Sequence, residues 1–255
     1  MIKTSKQIEN IKISGKHLTV LLDLLYTKAK AWIMLIELEF IAEQYIKQHN
    51  LKWAFKWYQW FPTNLCLSVN DCVVHGIPDE YILKNGDVLK IDCGIIYQGG
   101  ITDSAITIII WWEAANPLWY ALAKATKKWL DEAIKHIWPG LSIYEYSHRV
   151  HQIITNEWFS VLWQLTGHGV GNKVHEKPHI YNTPNPDMKK ILFQPGMVLA
   201  FEPITAVNST DFVSKPWNDR NLYCKKWDLW AQREYTILIT EKGYEILSWI
   251  TKDLF

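Results

Sequence analysis

The order of the predicted elements indicates a mixed α/β fold in which one arrangement occurs twice. Residues 5–27 and 36–49 have helical periodicity and precede strand-like segments that run through about residue 110. Residues 116–137 and 143–157 again predict helices, and strand-like segments follow to the end of the chain. Because no linker or low-complexity stretch interrupts the 255 residues, the chain is predicted to form a single domain, 1–255.

Apolar spacing supports the helices of both halves. One face of the first helix carries Leu18, Leu21, Leu22 and Leu25, and one face of the third carries Ala133, Ile134 and Ile137. Pro139-Gly140 predicts the end of the third helix. The second and fourth helices carry similar residue types at a few equivalent positions. This weak similarity agrees with two related halves.

Two strands of the first half carry aspartates. Residues 88–97 and 101–110 flank the turn-forming sequence Gln98-Gly99-Gly100, so they predict a hairpin. If the chain folds back between Tyr97 and Gln98, Asp92 lies opposite Asp103, with Cβ atoms about 4.5–5.5 Å apart. Two carboxylates that close repel each other, unless a bound dication turns the pair into a chelate. The alternative is two surface aspartates near a hairpin end, but their neighbours are too apolar for an open surface.

Three further candidate ligands lie in the second half. His168 is flanked by glycines, which allow other groups to approach the backbone closely. Glu202 precedes Pro203 and follows an apolar run, so it is expected to be extended and to point inward. Glu234 opens a predicted strand, where a buried carboxylate needs a partner.

Together the five residues predict a site for two divalent cations. Oxygen ligands with one imidazole nitrogen suit Mn, Fe, Co or Zn, while the cation supplied by the cell stays open. Two such ions form a hydrolytic centre, because they acidify a shared water and polarise a carbonyl. A substrate amine that occupies an open metal position would restrict cleavage to chain ends. His148 and His151 also have ligand spacing, but a solvated helix face explains them better because no carboxylate cluster joins them. Residues 182–189 and 209–226 are predicted to be loops near this site.

The chain resembles the methionine aminopeptidases over nearly its whole length. The resemblance is carried by His75-Gly-Ile-Pro, Asn85-Gly-Asp-Val-Leu-Lys-Ile-Asp92, Thr166-Gly-His-Gly-Val-Gly171, Val174-His-Glu-Lys-Pro178, Gln194-Pro-Gly-Met197 and Phe201-Glu-Pro203. It implies the pitta-bread fold, with pseudo-symmetric halves, a curved antiparallel sheet and helices on the outside. The 31 residues between Glu202 and Glu234 fit the short type I form, since they leave no room for a helical insertion.

The resemblance also implies a role for each site residue. Asp92 would chelate one metal, Asp103 and Glu234 would bridge both, and His168 and Glu202 would complete the other shell. Catalysis would involve His75 near the scissile amide, His175 as a donor to the carbonyl oxygen, and Glu202 as a proton carrier. The substrate methionine would contact Tyr58, Phe61 and Cys66. Where many relatives have a pocket tryptophan, this chain has Arg220.

The expected activity is removal of the initiator methionine from nascent chains, preferentially before a small second residue, by a monomer in transient contact with the ribosome. One alternative is a proline-directed aminopeptidase of the same fold, although such enzymes usually carry a large extra N-terminal domain. The other is a binding protein of this fold that has lost catalysis, although all five ligands are present.

Composition excludes several other classes. With 27 basic and 26 acidic residues, the net charge of +1 offers no broad surface for nucleic acid or membrane. The four cysteines form no CxxC pair, and scattered thiols fit a reducing cytoplasm. The N-terminus lacks the apolar core of a signal peptide, and the longest apolar stretch is too short to span a bilayer.

Tryptophan is unusually frequent in this sequence. The chain contains 15 Trp but only 12 Gly, whereas average usage of about 7% would give roughly 18 Gly. Several tryptophans stand where a turn favours glycine, including Trp32, Trp60, Trp158 and the pair Trp111-Trp112, and Trp227 and Trp230 have a similar setting. We hypothesise that many of them are encoded by UGA and read as glycine in the source cell. The alternative is a chain that is truly rich in tryptophan.

Overall fold

The computed structural model describes residues 2–111, 116–215 and 218–252, which contain four α-helices and fifteen strands. The helices are α1 (Ser5–Lys28), α2 (Leu35–Gln48), α3 (Pro117–Ile134) and α4 (Ile143–Asn156). The strands are β1 (Lys52–Trp53), β2 (Leu65–Val69), β3 (Cys72–Val74), β4 (Val88–Tyr97), β5 (Gly100–Ile109), β6 (Ser160–Val161), β7 (Gly167–Gly169), β8 (Glu176–Ile180), β9 (Val198–Phe201), β10 (Ile204–Ala206), β11 (Phe212–Lys215), β12 (Asn218–Cys224), β13 (Trp230–Gln232), β14 (Tyr235–Thr240) and β15 (Gly243–Ile246).

The helices follow the apolar periodicity of the sequence. Thr4 caps α1 in a capping box with Gln7, and the Ser142 hydroxyl accepts a hydrogen bond from the Glu145 N–H at the start of α4. The predicted apolar face of α1 is fully buried. The third helix ends at Ile134, before the predicted end at 137, because the chain turns through residues 135–137 ahead of Pro139.

Each half has an antiparallel sheet backed by a helix pair. In the first half, β4 pairs with β1, β2 and β5, and α1 and α2 pack on these strands around a core of leucine and isoleucine. In the second half, the strand order is β15-β14-β9-β7-β8, and α3 and α4 cover a core that contains Trp129, Phe193 and Phe201. This repeated arrangement confirms the predicted fold class.

Hydrogen bonds from β5 to Glu234 and to Thr236 in β14 join the halves. The backbone N–H of Asp103 donates to Thr236 Oγ1 at 2.9 Å, and Thr236 Oγ1 donates to the Asp103 carbonyl at 2.7 Å. The Glu234 N–H donates to the Ala105 carbonyl at 2.9 Å. Two predicted ligands, Asp103 and Glu234, therefore lie on the seam between the halves.

The structure corrects the predicted hairpin register. The two-residue turn is Gln98-Gly99, so Asp92 lies opposite Ala105, and Asp103 lies opposite Gly94. The prediction of directly opposed aspartates was therefore wrong by two residues. Because strand faces alternate with a period of two, the shift leaves both carboxylates on the same face as diagonal neighbours.

The segment 209–226 is more ordered than predicted. The sequence suggested a loop, but β11 and β12 form a hairpin there, and β12 also pairs with β3 beside His75. The segment 182–189 is irregular, as predicted, apart from the short helical turn Pro186–Lys190. Across the described ranges, no helix combines the length and the hydropathy needed to cross a membrane.

Ten non-glycine residues in the described ranges have a positive φ angle. Five of them are tryptophans: Trp32 (78°), Trp57 (71°), Trp60 (65°), Trp111 (79°) and Trp158 (64°). The other five are Asn50, Gln59, Asn70, His75 and Gln98. Positive φ is tolerated by asparagine but is an outlier for a bulky side chain. The neighbouring Trp112 lies outside the described residues.

Candidate metal centre

Five side chains from both halves converge at the seam. Asp92 and Asp103 lie on β4 and β5, His168 is the middle residue of β7, Glu202 follows β9 directly, and Glu234 directly precedes β14. Ligand atoms of Asp103, His168 and Glu234 all lie within 4.8 Å of one another. The Asp92 and Asp103 carboxyl groups are close enough to influence each other's pKa, and Glu202 Oε1 lies 3.4 Å from His168 Nε2. The structure thus brings together all five candidate ligands.

Burial and mutual repulsion make it costly for the four carboxyl groups to ionise. Burial is the largest cause of the raised pKa at each group, and it raises the pKa of Asp92 to about 7. The pKa values of Asp103, Glu202 and Glu234 are also raised, by burial first and then by neighbouring carboxylates. Like charges this close disfavour joint ionisation. Positive charge among them would restore the ionised forms.

The carboxylate oxygens fit a cation site. Asp92 Oδ1, Asp103 Oδ1 and Glu234 Oε1 are buried and make no hydrogen bond within the described ranges. A buried polar atom without a partner is costly, and a divalent ion would satisfy all three. The set of four carboxylates and one imidazole suits Mn, Fe, Co or Zn. The residues present therefore fit the predicted metal centre.

His168 is oriented for ligation through Nε2. Its Nδ1 lies 3.0 Å from the Gly169 carbonyl oxygen, which can only accept, so Nδ1 carries the proton. The Nε2 lone pair is then directed towards Glu202. Burial, followed by the nearby His175, lowers the pKa of His168 to about 3. His168 is therefore neutral near pH 7, which is the form that binds metal.

His175 lies beside the cluster, and Tyr58 contacts it. His175 Nδ1 is 3.1 Å from the Tyr58 hydroxyl, and the two rings meet edge to face. The His175 and His168 ring centroids are 4.3 Å apart. Burial, and then His179, lowers the pKa of His175, so it is also neutral near pH 7. If the Tyr58 hydroxyl donates to Nδ1, the Nε2–H of His175 is left to donate into the cavity.

An ion pair holds the loop that carries His175. Lys3 Nζ lies 2.6 Å from Glu176 Oε2, and the Lys3 side chain is fully buried. Glu176 Oε1 accepts the backbone N–H groups of Asn172 and Lys173 at 2.7 and 3.0 Å. Burial raises the pKa of Glu176, but the Lys3 ammonium and these donors outweigh it, and the net pKa is lowered. Residues 172–176 are thus fixed to the N-terminal segment.

A cavity of about 700 Å³ opens over the cluster. Its apolar side includes Phe55, Tyr58, Phe61 and Cys66, and Cys66 lies directly opposite Asp92 on the neighbouring strand. The predicted pocket residues therefore lie together, next to the candidate ligands. Burial raises the pKa of the Cys66 thiol, which keeps it neutral.

His75 and Arg220 approach the same cavity from the β3–β12 side. His75 follows β3 with a φ of 59°, and strained backbone of this kind clusters at functional sites. Burial, and then His175, lowers the pKa of His75. Arg220 donates from Nη1 to the Gln59 carbonyl at 2.9 Å, so it ties β12 to the turn that carries Tyr58.

Sequence reasoning missed several residues around the site. Gln232 Nε2 lies 3.5 Å from Glu202 Oε2, and the Asn182 side chain donates to the Glu202 carbonyl at 3.0 Å. His179 lines the cavity opposite His168 in the β7–β8 register. His179 could have been predicted as a site residue because it directly follows the motif that contains His175. No motif in the sequence predicts a site role for Gln232 or Asn182.

Comparisons with known proteins agree with this geometry. The model of metallopeptidase family M24 matches residues 9–241. A methionine aminopeptidase of Mycoplasma capricolum is 34% identical over 97% of this chain and 97% of its own length. The crystal structure of a methionine aminopeptidase from Thermotoga maritima superposes with a TM-score of 0.91 at 33% identity, covering 97% of this chain and 98% of that one. A prolidase from Pyrococcus horikoshii shares the fold, with a TM-score of 0.74 at 19% identity, but this chain covers only 65% of it.

Proposed function

The chain belongs to the methionine aminopeptidases of metallopeptidase family M24, and from this membership we propose that it removes the initiator methionine from new polypeptides. The observation that carries the proposal is one cavity that combines the five-residue cluster with an apolar side. We propose that cleavage is preferred when the second residue of the substrate is small.

We propose that Asp92, Asp103, His168, Glu202 and Glu234 hold two divalent cations. The buried oxygens without hydrogen-bond partners and the raised carboxyl pKa values support this assignment. When bound, the pair of cations would lower the pKa of a shared water and polarise the scissile carbonyl. Mn, Fe, Co and Zn all fit the ligand set.

The apolar side of the cavity would bind the methionine side chain. Tyr58 and Phe61 offer aromatic surface, and Cys66 offers a neutral thiol, all of which suit a polarizable thioether. His75 would hold the peptide near the scissile amide, since it lines the same cavity. Arg220, which also lines the cavity, would border the part of the peptide that follows the methionine.

His175 would stabilise the negative charge that develops during the reaction, and Glu202 would transfer the proton. As water adds to the carbonyl carbon, negative charge develops on the carbonyl oxygen, and the His175 Nε2–H would stabilise it. Glu202 would take the proton that the attacking water loses and pass it to the amide nitrogen. The C–N bond then breaks, and the new amine leaves neutral. The Gln232 side-chain amide, whose Nε2 lies 3.5 Å from Glu202 Oε2, would orient the carboxylate for this transfer.

The substrate would reach the enzyme as a nascent chain in the cytoplasm, and transient contact with the ribosome by a monomer would bring the two together. This part of the proposal is supported by the similarity to bacterial methionine aminopeptidases and by four free cysteines, of which three are buried.

The proposal is tested by the substrate that the metal-loaded enzyme prefers. We expect hydrolysis of Met-Ala-Ser with added Mn, Co or Fe, no hydrolysis of an Ala-Pro peptide, and loss of activity with a chelator. Leu-Ala-Ser serves as a matched control for the pocket. Activity on the proline peptide alone would identify a proline-directed enzyme, and bound metal without turnover of either peptide would identify a binding protein.

A further inference from the structure

Among the described residues, the positive-φ tryptophans are a conflict between residue type and backbone conformation. Left-handed backbone brings Cβ close to the following carbonyl oxygen, so residues other than glycine are strained there. Asparagine relieves the strain with local hydrogen bonds, but an indole cannot. Half of the ten positive-φ non-glycine residues in the described ranges are nevertheless tryptophan.

Two of these tryptophans occupy positions whose geometry is specific for glycine. The Ile33 N–H bonds the Lys30 carbonyl at 3.3 Å, which makes Trp32 the third residue of a four-residue turn, with φ of 78°. Positive φ at that position defines a type II turn, where glycine is favoured. Trp158 directly follows Glu157, the C-cap of α4, and its N–H bonds the Thr155 carbonyl at 3.1 Å. This is the C′ position, which is usually glycine.

Two others shape the turn that forms the wall of the cavity. Trp57 is left-handed, with φ of 71° and ψ of −4°, and its carbonyl accepts from the Trp60 N–H at 3.4 Å. Between them lie Tyr58, which contacts His175, and Gln59, which receives the hydrogen bond from Arg220. The positions of Tyr58 and Gln59 in the site therefore depend on the backbone conformation at residues 57 and 60, and both of these conformations suit glycine.

The indoles gain little that would offset this strain. Trp32, Trp57, Trp60, Trp111 and Trp158 are 65–92% exposed. By contrast, Trp119, Trp129 and Trp230 are buried and have no positive φ. The prediction of a turn position that favours glycine was therefore wrong for Trp230, which lies in β13, and Trp227 also lacks a positive φ. A tryptophan selected for packing would resemble this second group. The first group has the placement of glycine: at turns, at a helix end and on the surface.

We infer that residues 32, 57, 60, 111 and 158 are glycine in the polypeptide that the source cell makes. The tryptophan written at each position would then correspond to a UGA codon that this cell reads as glycine. Five more glycines would raise the count from 12 to 17, close to the roughly 18 of an average chain of this length. The backbone angles carry the inference, and the count agrees with it independently.

Peptide mass spectrometry of the protein isolated from its source cell tests the inference directly. Peptides that span the five positions should have the mass of glycine at each, and the corresponding codons should be UGA. An indole at these positions in the native protein would overturn the inference. This result does not depend on catalytic activity, so it is separable from failure of the proposed function.

Recombinant variants test the physical reason. Replacing all five tryptophans by glycine should raise the melting temperature of the metal-loaded protein by about 10 °C. Replacing them by alanine removes the indole but keeps Cβ, so the gain should be much smaller. The same glycine replacement at Trp138, Trp163, Trp227 and Trp249, which are exposed without positive φ, is the matched control and should give no gain. Equal gains for alanine and glycine, or a gain in the control set, would overturn the argument from φ.

Discussion

The two halves hold their candidate ligands by different means. Asp92 and Asp103 lie in the middle of ten-residue strands, where backbone hydrogen bonds on β4 and β5 fix their positions. In the second half, β7 has three residues, and Glu202 and Glu234 lie just outside strands. The orientation of these ligands depends on single hydrogen bonds, such as the bond from Gln232 to Glu202. We therefore expect the ligands of the first half to be held rigidly in place. Single substitutions should displace the ligands of the second half more easily.

The largest effect should come from removing one carboxylate charge in either half. We expect Glu202→Gln and Asp103→Asn each to lower kcat about 10³-fold, since one loses the proton carrier and both lose a metal ligand. Neither should unfold the metal-free protein, because removing one of four repelling carboxylates relieves repulsion. Steady-state hydrolysis of Met-Ala-Ser and melting curves in chelator measure both effects. The exposed Glu245→Gln is the control and should leave both unchanged.

If either ligand variant keeps most of its activity, that half does not supply the metal centre. If the Asp103 variant unfolds while the Glu202 variant does not, the aspartate contributes more to the strand seam than to the site. Both results would change the comparison between the halves.

The hairpin shows what the sequence can predict about this site. Alternation and turn residues identified β4 and β5, but the turn centre depends on Gln98 and Gly99, both of which have positive φ. Local sequence did not distinguish that turn from one centred a residue earlier, so the register was wrong by two. Because a shift of two keeps the strand face, the two aspartates were still assigned to one cluster.

The contacts that align the second half were beyond sequence reasoning. Lys3 and Glu176 are 173 positions apart, and neither residue belongs to a pattern that predicts a partner. The hairpin of β11 and β12 lies within residues 209–226, for which the sequence predicts a loop. Its order comes from pairing with β3, which local propensity does not reveal.

Metal removal should make stability fall with rising pH. The pKa values of Asp103, Glu202 and Glu234 are raised in the folded protein, so the folded state holds protons that the unfolded chain has released. Such groups stabilise the fold at low pH, and the contribution is lost as pH rises, by roughly 1.4 kcal/mol per pH unit for each proton retained.

The histidines set the pH range for this measurement. The pKa of His168 is lowered, so its contribution to stability increases with pH only up to about 6.5, where the unfolded histidine titrates. Urea unfolding in chelator should therefore show falling stability from about pH 7 to 8. With Mn bound the slope should vanish or reverse, because deprotonated ligands bind metal more tightly. A negative slope that persists with metal would show that the cation does not neutralise these carboxylates.

A smaller effect is expected from the ion pair that fixes the His175 loop. Lys3→Met removes the ammonium that binds Glu176, and we expect a loss of about 2 kcal/mol in the free energy of unfolding. At a temperature where the variant is fully folded, kcat should still fall about 10-fold, because His175 is no longer held in place. Lys6→Met is the matched control, since Lys6 pairs with Glu9 on the surface. If kcat stays normal in the folded variant, the pair serves stability alone.

The smallest effect should come from removing the Tyr58 hydroxyl. Tyr58 belongs to the first half and contacts His175, a proposed catalytic residue of the second half. Tyr58→Phe keeps the ring in the pocket but removes the bond that selects the tautomer of His175. One hydrogen bond is worth about 1 kcal/mol, so we expect kcat to fall about 5-fold while KM for Met-Ala-Ser stays constant. Tyr97→Phe, which removes an exposed hydroxyl bonded to Gln98, is the control. A rise in KM with kcat unchanged would instead assign Tyr58 to methionine binding, and the alignment of His175 would then depend on the Glu176 loop of its own half.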